Sequence, residues 1–420
     1  MKLCIQNARH LEAPVDLLTA DGKILTMTPA GHCPPPEDCE IFDAHGLTLM
    51  PSMTDAHTHL REPGYEYKED IASGLEAAAR GGFGTVMCMA NTRPVNDTAS
   101  VTAHMLERAR QSHPHGPRLC PVAAASVGLK GEELTPLAEL KAAGCVAVSN
   151  DGRPLESAEI VRRIMEYAAD LDLILIDHCE DPHLARGWRM HEGATSGLLG
   201  VKGQPAAGEA VQAARDIMLA EYLGVPVHIA HVSAALTVDV IAWGKARGVP
   251  VTAETCPHYL LLDETALEGY NTLAKVSPPL RTAEDRAALR RAVKDGLIDI
   301  LATDHAPHAA HEKEGTLDEA LCGFTGLDLA LSLTWELVRE GALTEADLQR
   351  LWCRRPAEIF HLPWNGFAPG DPADFFLLDP AAVWIPGRET MYSKSLNTPF
   401  LGRELHGRVV HHWLGGRRLF

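Results

Sequence analysis

Histidines and carboxylates are unevenly spread along this 420-residue chain, and the tightest grouping is Asp55-Ala56-His57-Thr58-His59-Leu60. In an extended segment, side chains at i and i+2 point the same way. His57 and His59 would therefore face one surface, and imidazole is a common ligand for zinc. Further candidate ligands lie far away in the sequence: Asp151, His178, His231 and Asp304. One histidine closing an apolar run reads as a hydrogen-bonded structural side chain. Six such groups in register read as a metal site. A bound divalent ion can bring water to ionise near pH ~7, which makes a nucleophile for hydrolysis. No GxSxG elbow is present, so hydrolysis here needs no serine. Arg61 follows His59 by two residues, again faces the same way and can fork onto a carboxylate. Asn91 and His308 fall after other apolar runs and can donate to the same group.

These groups must be positioned by the elements they end. Eight short apolar runs recur: 50–57, 83–90, 118–124, 145–150, 173–178, 227–231, 250–255 and 298–304. Helical patterns lie between them, such as 70–82, where Ile71, Leu75 and Ala79 share a face and glycine stops the helix. Others cover 157–171, 208–224 and 282–296. Eight strand–helix alternations predict a (β/α)8 TIM barrel, with an open doubly wound sheet as the structural alternative. The candidate ligands sit at the C-terminal ends of the strands, the face on which barrel enzymes build their sites. Residues 1–52 and 362–420 read as short strands and turns, including an Asp21-Gly22 hairpin. They predict a small β-sandwich domain made by both chain ends, flanking a barrel over 53–361.

Composition limits the partners. The formal charge is −18, and no basic block is present, which argues against nucleic acid. An anionic small-molecule substrate would need a locally positive site. The longest apolar runs fall well short of the ~20 residues of a membrane span. The first residues show no export signal, and ten cysteines without a CxxC pair suggest reduced thiols. The expectation is a cytoplasmic enzyme that binds no membrane.

Beyond these features the chain resembles the amidohydrolase superfamily, and within it the dihydroorotases. The resemblance rests on DAHTHLREPG (55–64), GGFGTVMCMANTRP (81–94), NDGRP (150–154), DHCED (177–181), KGQPAAGE (202–209), HVSAALTV (231–238), ETCPHYLLL (254–262), KVSPPLR (275–281), ATDHAPH (302–308) and SKSLNTPF (393–400). It implies two divalent metal ions, usually zinc: His57, His59 and Asp304 on one, His178 and His231 on the other. The fourth strand has no lysine to be carbamylated, and Asp151 matches the bacterial subgroup in which an aspartate bridges. The implied activity is reversible hydrolysis of dihydroorotate to N-carbamoyl-L-aspartate in pyrimidine (UMP) biosynthesis. In that scheme a hydroxide between the metals attacks the ring amide, and Asp304 is the catalytic base and then acid. Arg61, Asn91, His308 and His59 would contact the substrate, together with Ser277, Cys322 and Gly323. A homodimer is the family's usual state, and association with aspartate transcarbamoylase is a further implied possibility. The rival readings are an allantoinase or dihydropyrimidinase-like hydrolase, or a noncatalytic scaffold for a transcarbamoylase.

Some positions depart from the family pattern. Ala90 replaces a common proline, Ser277 a common asparagine, and Leu321-Cys322-Gly323 a common Pro-Phe-Gly. Asp55 is expected to orient a ligand imidazole. Glu209, Arg215 and Asp216 read as a solvated helix face, and Trp335, Trp352 and Trp364 as packing residues. The glycine-rich stretch 180–206 reads equally as a mobile cover or a plain connection.

Overall fold

The computed structural model describes residues 2–32 and 35–420. Eight parallel strands form the barrel: Met53–Thr58, Phe83–Cys88, Arg118–Ala124, Ala147–Ser149, Leu175–Asp177, Val227–Ile229, Val251–Thr255 and Ile300–Leu301. Each coincides with one of the eight apolar runs. They are hydrogen-bonded in sequence order. The first and eighth approach closure through a parallel bridge between Thr58 and His305, and His59 N–H donates to His305 O at 2.8 Å. Nearly every barrel-strand residue is buried, as expected for parallel strands covered on both faces.

The helices follow their sequence signals. Ile71–Gly81 starts at Asp70, which forms a capping box with Ser73, and ends at Gly82 in the left-handed region (φ 91°). Its inward face carries Ile71, Leu75 and Ala78. Ala158–Asp170, Ala207–Leu223 and Ala283–Lys294 match the other helical stretches.

The chain ends meet. Thr48–Pro51 pairs antiparallel with Phe375–Leu378, so strands from both ends belong to one hydrogen-bonded set of eight. Asp21 and Gly22 form the turn of the Ala13–Ala20/Lys23–Pro29 hairpin. This β unit has its own apolar cluster, with Leu3, Ile5, Leu17, Ile24, Phe375 and Trp413. Three consecutive prolines occupy 34–36, and of these Pro34 lies outside the described residues.

Two expectations fail here. Glu209 and Asp216 are 3% and 0% exposed, not solvated. They lie on the face of their helix turned toward the barrel, and each has polar partners there. Glu209 accepts from Ser233 N and Ala234 N at 3.0 and 3.2 Å and faces Arg281, while Asp216 pairs with Arg215 at 2.8 Å. Among the tryptophans, Trp335 and Trp352 are buried, with Trp335 against Gly407 of the small β unit, but Trp364 is 36% exposed. Segment 180–206 is more built than a bare loop. It contains the helix Ala194–Leu199 and a two-stranded contact of Met190–His191 with Gly203–Gln204.

Candidate metal centre and substrate cavity

The six predicted ligands converge. His57 and His59 alternate on the first strand and its extension, and the others arrive from the ends of the fourth, fifth, sixth and eighth strands. Asp151 stands between two histidine pairs. Its Oδ1 is 3.3 Å from His57 Nε2, 3.4 Å from His178 Nδ1 and 3.4 Å from His231 Nε2. Its Oδ2 is 3.4 Å from His59 Nε2. Asp304 Oδ1 lies 3.1 Å from His59 Nε2 and 3.7 Å from His57 Nε2. His178 Nδ1 and His231 Nε2 are 2.8 Å apart. All six side chains are buried.

Partners behind the histidines fix which nitrogen faces inward. His57 Nδ1–H donates to Glu254 Oε1 at 2.7 Å, which leaves the Nε2 lone pair toward Asp151. His59 Nδ1–H donates to Asn91 Oδ1 at 2.8 Å, with the same result. Burial works against charge on Glu254, but His57 and His228 outweigh it and hold the carboxyl well below its ordinary range. Asp304 is likewise opposed by burial yet held low by the His59 hydrogen bond and the nearby imidazoles.

The donor set fits divalent ions. His57 Nε2 and Asp151 Oδ1 are buried polar atoms without a well-formed hydrogen bond. Leaving such atoms unsatisfied is costly, and cations answer that cost. Two overlapping groups, His57–His59–Asp151 and Asp151–His178–His231, each bring ligand atoms within 4.8 Å of one another. Imidazole nitrogens with carboxylate oxygens suit zinc and similar ions.

Beside this cluster opens a cavity of about 250 Å³ lined by His59, Arg61, Asn91, Asp151, Glu180, Ser277, Asp304, His308, Cys322 and Gly323, among others. Every residue expected to touch substrate is on that lining. Arg61 makes no ion pair with Glu62 or Glu66. Glu62 instead takes Arg108 at 2.7 Å, and Glu66 accepts from Gly64 N. Arg61 Nε donates to Pro307 O at 3.0 Å, which aims its fork along the cavity wall. His308 donates through Nε2–H to Cys322 O at 2.8 Å, so this donor is engaged by the protein itself. Burial and the neighbouring Arg61, Lys68 and Lys313 keep His308 neutral, pushing its pKa down to about 3. Gly323 has φ 138°, and a β-carbon there would come within 2.8 Å of Ala306 Cβ. Gly152 (φ 80°) gives Asn91 Nδ2 room that a β-carbon would reduce to 3.0 Å.

Asp55 does other work than expected. It accepts from His57 N at 3.2 Å and from Thr303 N at 3.1 Å, and so ties the first strand's backbone to the eighth. Glu254 is the carboxylate that orients the imidazole. It ends the seventh strand, where the register that located the other ligands also points. Two further contributors lie in the DHCED and SKSLNTPF stretches but were given no role from the sequence. Glu180, anchored by Gln204 Nε2 at 2.6 Å, lies 4.0 Å from His178 Nε2. Asn397 accepts from His308 N at 2.9 Å and donates to Ala306 O and Gly323 O at 3.0 Å each, which binds the cavity wall together.

Comparison with known proteins agrees with this architecture. The model of the family described as "Dihydro-orotase-like" matches residues 46–236. The dihydroorotase of Syntrophus aciditrophicus is 45% identical over 416 residues, covering 99% of this chain and 97% of that protein. The dihydroorotase of Anaeromyxobacter dehalogenans is 47% identical, covering 98% and 95%. Among solved structures, the L-hydantoinase (dihydropyrimidinase) of Arthrobacter aurescens superposes with a TM-score of 0.86 at 23% identity, covering 99% and 95% of the two chains. The dihydropyrimidinase of Brevibacillus agri gives 0.84 at 23% identity, covering 100% and 95%. These two likenesses establish the barrel-plus-β-unit fold alone. The near full-length identity to the curated relatives, together with the six converging ligands, establishes that this chain belongs to the dihydroorotase family.

Proposed function

We propose that the protein is a metal-dependent dihydroorotase that interconverts (S)-dihydroorotate and N-carbamoyl-L-aspartate in pyrimidine biosynthesis. The observation that carries this reading is one cavity with two unlike walls. One wall is the His/Asp cluster, and the other presents Arg61 and Asn91, backed by His308. A cyclic amide with a carboxylate substituent suits both. Allantoin and dihydrouracil lack that carboxylate and would leave the guanidinium without a partner.

His57, His59 and Asp304 would hold one ion and His178 and His231 a second, with Asp151 shared. Zinc is the expected metal. When bound, the ions supply Lewis acidity for the amide carbonyl and ease the ionisation of water. Arg61 and Asn91 hold the substrate carboxylate and set which face of the ring is presented. Asp304 takes the proton of the attacking water and returns it to the ring nitrogen as the C–N bond breaks and the C–O bond forms. The new carboxylic acid then ionises, so hydrolysis gains with rising pH and ring closure with falling pH. The backbone at Cys322 and Gly323 and the Ser277 hydroxyl address the ring's amide groups.

On the same reading the barrel spans 53–361 and the β unit 1–52 plus 362–420. The enzyme works in the cytoplasm as a homodimer, with an aspartate transcarbamoylase as a possible companion. Among the described residues no helix is long and apolar enough to cross a membrane. The test is side-by-side turnover of dihydroorotate, allantoin and dihydrouracil by metal-loaded protein. Turnover of dihydroorotate alone supports the assignment. Preference for either other substrate moves it to a sister activity, and failure on all three favours a scaffold.

A further inference from the structure

The strip Leu317–Gly323 reaches the cavity wall at Cys322 and Gly323 and is pinned from behind by two buried lysines. Lys275 Nζ donates to Leu317 O and Ala320 O, both at 2.6 Å. Lys313 Nζ donates to Leu321 O at 2.7 Å, Lys275 O at 3.1 Å and Gly323 O at 3.3 Å. They are only 6% and 4% exposed. Every hydrogen bond of either ammonium goes to a backbone carbonyl, and among the described residues neither forms an ion pair. The acids nearby are otherwise engaged: Glu312 takes Lys68 at 2.8 Å, and Asp318 pairs with Arg189.

Burying an ammonium without a counter-ion is expensive, and a hydrogen bond to a neutral carbonyl answers only part of the cost. A neutral side chain could pack there more cheaply. Burial pushes Lys313 down to about 8, so it is still mostly charged at pH 7. Lys275, Lys313 and Arg61 thus concentrate positive charge on one cavity wall of a chain whose net charge is −18. Both ammonium groups are nearly shut off from solvent, which weakens the screening of their charge.

We propose that Lys275 and Lys313 are specificity-determining residues that favour ligands in proportion to their negative charge, acting through the Leu321–Gly323 backbone rather than by contact. The inference rests on the dihydroorotase reading and deepens it. The substrate on one side of that reaction is a monoanion and on the other a dianion, so the wall would grip carbamoyl aspartate more firmly than dihydroorotate. The equilibrium constant fixes the ratio of kcat/KM values in the two directions, so the effect must be read in binding.

The experiment is calorimetric titration of metal-loaded wild type, K313M and K275M with uracil (neutral), orotate (monoanion) and succinate (dianion). Removing one charge at fixed distance costs a dianion the square of what it costs a monoanion, about threefold for orotate and about tenfold for succinate. Uracil binding should not change. Equal weakening of all three ligands would show a merely structural role and overturn the inference, as would unchanged binding of the anions. If K313M does not fold, K275M alone decides on the same criteria. These titrations need no turnover, so failure of the dihydroorotase assay and failure of this inference are separately visible.

Discussion

Glu254→Gln is the sharpest probe of how the metal centre is held. Glu254 Oε1 accepts from His57 Nδ1–H at 2.7 Å and from His231 N at 3.3 Å, while Oε2 sits 3.2 Å from His228 Nε2. Glutamine keeps the shape and one acceptor, so His57 can still be oriented. What is lost is the negative charge that raises the basicity of Nε2. Removal of such a supporting group weakens metal binding by about 10- to 100-fold, or about 1.4–2.7 kcal/mol. Glu254→Ala should be worse. It leaves the buried His57 Nδ1–H and the His231 N–H without their acceptor, at about 1–3 kcal/mol each. The assay is zinc competition against a chromophoric chelator on stripped protein, with thermal melting alongside. Glu254→Gln should show a raised zinc dissociation constant, a near-normal melt of the metal-free protein, and restored turnover at excess metal. Unchanged zinc affinity would refute the argument that this carboxylate tunes His57.

Arg61→Ala should raise the KM for dihydroorotate by about 10²–10³-fold, as two charge-assisted hydrogen bonds are lost, with bound metal unchanged by elemental analysis. Gly323→Ala should raise the KM and lower the melting temperature, because the new methyl meets Ala306 within 2.8 Å at φ 138°; steady-state kinetics and calorimetry check both. Stability should rise between pH 8 and 10.5, because Lys313 has a folded pKa of about 8 against its ordinary 10.5 and the unfolded chain binds more protons across that window. Denaturant unfolding of wild type minus K313M isolates this term, and a flat difference would reject it.

Much of the molecule was legible from the sequence for definite reasons. Parallel strands buried on both faces leave continuous apolar runs, and a barrel places its chemistry at their ends, so His57, His178, His231 and Asp304 could be located by register. The same rule applied to the seventh strand points to Glu254, which opens the ETCPHYLLL stretch but was given no role there. Glu209 and Asp216 were misread because a charged helix face looks solvated until its partner is known, and Arg281 lies 72 residues from Glu209. The direction of the His308 donor could not be read, since it depends on where the Cys322 carbonyl turns. Lys275 and Lys313 were invisible for a related reason: their acceptors are backbone oxygens, which carry no residue identity.

The pairing of Thr48–Pro51 with Phe375–Leu378 sets an order of events for the newborn chain. More than three hundred residues of barrel are synthesised between the two partners. The amino-terminal strands leave the ribosome early with one edge unmated, and such edges invite pairing with other chains. Contacts of so long a sequence separation form slowly. Completion of the β unit therefore waits until residues 375–378 have been made, and until then the exposure to misassembly lies at the open edge of Thr48–Pro51.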